Sequence, residues 1–165
     1  VGRLEKQKNY KDLIISIANS EIKLDIVGEG SLKEELKDIA NLHNSNVKFL
    51  GTLSHSELLK LYTKYKIFVL SSTFEGNPKV VLEAMSCGTL VVAAKNKNVQ
   101  EIITNEVDGI LYSNEEELQN LIKYYMKNTS ERNEIIDKAY EKIKLNNLFD
   151  VVVEKEFKLY ENLIK

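Results

Sequence analysis

Cysteine is almost missing: Cys87 stands alone in 165 residues, so no internal disulfide can form. It reads as a small core side chain in a reducing compartment rather than as a nucleophile. Charge of one sign is missing too, since 23 lysines and arginines face 25 aspartates and glutamates for a net charge of −2. Interspersed charges of this kind give no footprint for nucleic acid and no like-charged block for a tail or an anionic membrane surface. No apolar run approaches the ~18 residues of a membrane-crossing helix, and no charged-then-apolar leader opens the sequence, so the segment is expected to be soluble. The two histidines, His43 and His55, fall at the edges of expected helices without neighbouring ligand types. They read as surface or capping residues rather than metal ligands or bases. There is no internal repeat or low-complexity segment, only the lysine, asparagine and isoleucine bias of an AT-rich bacterial genome.

What is present is one domain's worth of core, with 43% apolar residues over a length too short for two ordinary domains. Short β-branched runs end in glycine at Lys23–Gly30 and Asn46–Gly51, and three further strands are expected at Ile67–Leu70, Leu90–Ala94 and Asp108–Tyr112. Helical spacing recurs over 10–19, 31–44, 54–65 and 98–105, then over 115–127, 130–145 and 149–164. Ser31 with Glu34 and Ser54 with Glu57 have the spacing of capping boxes. A strand–helix cadence of about 20 residues predicts a doubly wound parallel sheet with helices on both faces. Gly28 and Gly30 have the spacing of a dinucleotide-binding turn but lack its third glycine and distant acid, so they carry little weight as a phosphate cradle.

The sequence is organised around residues 71–94, SSTFEGNPKVVLEAMSCGTLVVAA. The wholly apolar Ile67–Leu70 run before it reads as a strand covered on both faces. Pro78 suits the first position of a helix, where its missing N–H costs nothing, and Gly88 is placed to stop that helix after Cys87 in a left-handed cap. The helix is apolar nearly all round and is therefore expected to be buried. Glu83 in its middle needs an internal partner or a ligand, since an unpaired buried carboxylate costs several kcal/mol. Glu75 precedes the turn, and the backbone N–H groups from Asn77 to Val80 with the positive helix end form a candidate anion site.

Glu75 and Glu83, with seven residues between them inside EGNPKVVLEAMSCGTLVVA, resemble the E-x7-E signature of retaining glycosyltransferases of family 4, which have the GT-B fold. The resemblance covers nearly the whole chain. It implies that residues 1–165 form the C-terminal, donor-binding lobe, with a final helix at 148–165 that packs on an N-terminal acceptor lobe lying outside these residues. It further implies transfer of a sugar from a nucleoside-diphosphate sugar, a UDP donor being favoured over GDP or ADP, with anomeric configuration retained and without a metal. A cytoplasmic enzyme of surface glycan or lipopolysaccharide assembly is expected, attached to the inner membrane only through its other lobe, and the lobe alone is expected to transfer nothing.

Residue by residue, the resemblance makes Glu75 catalytic, facing the sugar. Arg3 and Lys8, in VGRL-x-x-x-K, would hold the diphosphate; on chemistry alone both read as surface cations. Gly76, Asn77, Pro78, Lys79 and Val80 complete the donor-binding turn, and Glu83 would take the ribose hydroxyls. The base is expected near a loop at Lys48 and Phe49. Three departures from the family pattern stand out: Asn9 replaces glycine, Leu90 replaces proline, and Lys95-Asn96-Lys97-Asn98 replaces a glycine-rich loop. Glu101 matches a position that is often glutamate, although a helix-surface charge explains it as well. A non-catalytic nucleotide-sugar-binding module and a sugar-nucleotide epimerase of similar fold are the alternative readings.

Overall fold

The structure, a computed structural model, describes residues 1–146. The helix expected over 148–165 lies outside those residues. A 3-10 turn at Lys6–Lys8 leads into α1 (Tyr10–Ser16), followed by β1 (Lys23–Val27), α2 (Lys33–Leu42), β2 (Asn46–Gly51), α3 (His55–Tyr62) and β3 (Ile67–Leu70). The second half continues with α4 (Lys79–Ser86), β4 (Leu90–Ala94), α5 (Lys97–Ile102), β5 (Ile110–Tyr112), α6 (Glu115–Lys127) and α7 (Thr129–Asn146). All strand pairings among these elements are parallel, as the alternation of strand and helix requires.

β4 shows why the apolar runs are continuous. Leu90 and Val92 belong to one core and Val91 and Ala93 to the other, and none is more than 1% exposed. Successive side chains of a strand point to opposite faces, so a strand covered twice must be apolar at every position. The first core is closed by Leu13 and Ile14 of α1, Leu36 of α2 and Ile122 of α6, and the second by Tyr62 of α3, Val81 and Met85 of α4 and Ala139 of α7. The result is the α/β Rossmann-like layering expected from the sequence. The strands, however, fall into two sheets, β1-β2 and β3-β4-β5, because no strand among the described residues lies between β1 and β3.

Most local expectations hold. Gly88 takes φ +72° and ends α4 with Gly88 N–H bonded to Met85 O and Thr89 N–H to Ala84 O, both at 3.1 Å, the paired bonds of a Schellman motif. Ser54 and Glu57 form the capping box of α3. Ser31 does not cap α2: the helix begins one residue later behind Leu32, whose N–H is taken by the Leu4 carbonyl at 3.1 Å, and Glu34 pairs instead with Lys37. With its carboxylate held by Lys37, Glu34 does not turn back to the Ser31 N–H as a capping box requires. Pro78 sits at the N-cap of α4 rather than inside its first turn.

The same N-terminal segment explains Gly28 and Gly30. Gly2 donates to Val27 O at 2.9 Å and Leu4 to Glu29 O at 3.0 Å. This brings the backbone so close that a Cβ on Gly28 would lie 1.9 Å from Gly2 O, and one on Gly30 2.5 Å from Leu4 O. These glycines admit a neighbouring chain.

Candidate functional site

Asn9 makes the first turn of the site possible. It adopts a left-handed conformation (φ 49°, ψ 41°) between the 3-10 turn and α1, which asparagine tolerates better than most residues. The turn lays the Lys8 side chain over Gly2 and brings its Nζ to 2.6 Å from Glu75 Oε1. Both side chains are largely buried, 16% and 10% exposed. The loop carrying Glu75 is fastened to this turn: Thr73 N–H donates to Gln7 O at 3.0 Å and Ser71 Oγ to Lys8 O at 2.7 Å.

A second fastening comes from the start of α5. Lys97, expected in a loop, lies in that helix ahead of Asn98, with Asn96 as its N-cap accepting from Val99 N–H at 3.1 Å. Asn98 Nδ2 donates to the carbonyls of Glu75 and of Gly76, the latter at 3.0 Å. Asn98 is thus a site-shaping residue that the sequence flagged only as a departure from a glycine-rich pattern. Burial, reinforced by the charge of Glu75, also pushes the Tyr10 phenol well above its ordinary range.

The turn before α4 differs from expectation in one respect. The Lys79 N–H is spent on Asn77 O at 2.9 Å, and Pro78 has none to offer. The amides of Gly76, Asn77 and Val80 have no protein acceptor among the described residues, so the anion-facing group is smaller than the run from Asn77 to Val80 suggested. Gly76, Asn77 and Lys79 are exposed and Pro78 is buried.

Glu83 projects from the middle of α4 and is 26% exposed rather than fully enclosed. Its Oε1 meets His55 Nε2 at 3.4 Å, while its Oε2 is buried without a hydrogen-bond partner. The hydroxyl of Tyr62 is similarly unpartnered, and its ionisation is pushed up first by burial and then by the charge of Glu83. His55 belongs at this site, which its place in the sequence did not reveal. Buried polar atoms are nearly always hydrogen-bonded, so the unpartnered Glu83 Oε2 and Tyr62 hydroxyl single out this part of α3 and α4.

The other candidates scatter. Arg3 points outward, its side chain 84% exposed and 3.9 Å from Glu5, and is not brought into contact with Lys8. Lys48 and Phe49 lie inside β2 rather than in a loop, opposite Asp25 and Ile26; Phe49 packs on the first core and Lys48 is exposed. Glu101 is an exposed residue of α5. Among the described residues no helix is long and apolar enough to cross a membrane.

Parallel strands, helices on both faces and polar side chains gathered beyond the strand ends define a Rossmann-like α/β domain with its site at the carboxyl edge. The family described as "Glycosyl transferases group 1" matches residues 1–142, and the chain belongs to it. It is 34% identical over 114 residues to N-acetylgalactosamine-N,N'-diacetylbacillosaminyl-diphospho-undecaprenol 4-alpha-N-acetylgalactosaminyltransferase of Campylobacter jejuni, covering 67% of this chain and 31% of that protein. Among solved structures, it superimposes on Anabaena HepE in complex with UDP and glucose with a TM-score of 0.83 at 26% identity, covering 98% of this chain and 46% of HepE. The C-terminal domain of a group 1 glycosyltransferase, LpcC of Francisella tularensis, shares the fold with a TM-score of 0.81 at 21% identity over 90% of this chain and 84% of that one. The chain spans about a third of the length of the curated relatives it matches.

Proposed function

We propose that the chain is the nucleotide-sugar-binding domain of a retaining family 4 glycosyltransferase of surface glycan or lipopolysaccharide assembly, with a UDP-sugar as donor. The observation that carries the reading is the unpartnered buried Oε2 of Glu83. A carboxylate offers two acceptor oxygens at a spacing that suits a vicinal diol, and the ribose of a nucleotide is such a diol. His55 would hold the other oxygen and so set the rotamer.

The Lys8 ammonium has three donors. One is engaged by Glu75, leaving two for the diphosphate, whose leaving charge the Gly76, Asn77 and Val80 amides would share; Arg3 would swing in from solvent. Glu75 Oε2 is left to face the sugar, where a fixed negative charge stabilises a ring that becomes positive as its bond to the diphosphate breaks. No step in this scheme calls for a metal. Support comes from the UDP and UDP-glucose complexes of HepE and from the lipid-diphosphate acceptor in the name of the Campylobacter relative.

Calorimetric titration with UDP and with its 2′-deoxy counterpart tests the assignment. Wild type is expected to prefer the ribonucleotide by roughly tenfold, the scale of one charge-assisted hydrogen bond, and Glu83→Gln to lose most of that preference. A wild type indifferent to the ribose hydroxyl would overturn it.

A further inference from the structure

Two loops that leave the carboxyl ends of neighbouring strands are stitched together at the site. One follows β3 and carries Glu75; the other follows β4, which pairs with β3 from Leu90 opposite Ile67 to Ala93 opposite Leu70. Asn96 Nδ2 donates to Ser72 O at 3.4 Å and Asn98 Nδ2 to Gly76 O at 3.0 Å. Lys97, between the two asparagines, is thereby held along the rim of the Glu75 turn. Lys95 is fixed at the strand end, where its N–H donates to Tyr112 O at 2.8 Å. Lys79 borders the same turn as the first residue of α4.

The charge of this rim is one-sided. Lys79, Lys95 and Lys97 are all exposed, and none of their ammonium groups has an ion pair or hydrogen bond among the described residues. Glu75 is the one carboxylate on residues 71–79 and 95–98, and it is spent on Lys8. Glu83 and Glu101 stand one turn along the helices from Lys79 and Lys97, yet neither closes an ion pair with its lysine; Glu83 meets His55 instead. A single surface lysine is an ordinary solvated charge. Three without partners around one turn concentrate positive potential at the place where a ligand would sit.

We propose that the site takes a nucleotide sugar whose sugar bears a carboxylate, a hexuronic acid, with Lys95 and Lys97 holding that carboxylate and Lys79 adding to the positive field. This rests on the donor reading above, in which Lys8, Arg3 and the free amides of the turn serve the diphosphate while Glu75 faces the sugar. Lys95 and Lys97 are then left without an anion. They stand where the family pattern has a glycine-rich loop, so ammonium groups replace backbone that could offer only neutral N–H donors. A neutral hexose makes no special use of them, whereas a ring carboxylate supplies paired acceptor oxygens for charge-assisted hydrogen bonds. The Lys8–Glu75 pair adds no net charge to oppose it.

Calorimetric titration of the 165-residue chain with UDP, UDP-glucose and UDP-glucuronate tests this. Wild type is expected to bind UDP-glucuronate about tenfold more tightly than UDP-glucose, the scale of one charge-assisted hydrogen bond. Combining Lys95→Gln with Lys97→Gln should erase that preference and leave the affinity for bare UDP largely as it was, while Lys97→Arg, which keeps the charge, should retain the preference. Equal affinity of wild type for the two sugar nucleotides would overturn the proposal and assign the lysines to some other anion. So would a double variant that loses affinity equally for UDP and both UDP-sugars, since the lysines would then serve the diphosphate. A wild type that binds none of the three sinks the donor reading and this proposal with it, a result distinct from the other two.

Discussion

The Lys8 ammonium lies 2.6 Å from the Glu75 carboxylate across 67 residues of sequence, with both side chains mostly withdrawn from water. Each partner therefore depends on the other. Lys8→Ala strands a buried carboxylate and is expected to cost about 3–5 kcal/mol of stability, rather than leaving the fold untouched as a surface cation would. Adding Glu75→Gln to that variant should restore a large part of the loss. Urea denaturation of both single variants and the double variant measures the coupling, and additive effects would show the pair to be energetically idle.

Asn98 fastens the turn that carries Glu75. Asn98→Ala should lower the unfolding free energy by about 1–2 kcal/mol through the lost donors. Asn98→Asp should be at least as costly, since a carboxylate would then face two carbonyl oxygens. Unfolding midpoints equal to wild type in both variants would remove Asn98 from the site's support.

The glycines separate into two kinds. Gly28→Ala places a Cβ 1.9 Å from Gly2 O at a φ of +135° and is expected to cost about 3 kcal/mol or more, on the scale of strain and overpacking combined. Gly76→Ala meets nothing within 4 Å and should change stability by less than about 1 kcal/mol. Thermal melts of the two variants decide the matter; a Gly28→Ala protein as stable as wild type would mean that the N-terminal segment does not cross there.

Much of the architecture is local and so could be read along the chain. The continuous apolar run of β4, the stop at Gly88 and the box formed by Ser54 and Glu57 depend on side-chain period, left-handed freedom and neighbours three residues away. Those causes act within a single element, and they also located the stretch that carries Glu75 and Glu83. Where a distant segment competes, local signals lose: Gly28 and Gly30 serve chain crossing rather than phosphate. The pairing of Lys8 with Glu75, the contact of His55 with Glu83 and the bonds from Asn98 to the site turn join residues from 22 to 67 positions apart. Hydrophobic periodicity holds no record of such partners, because they are chosen by how the two cores bring strand ends together. The separation of β1 from β3 is the extreme case: each reads as a buried strand by itself, and only their placement in space puts them in different sheets.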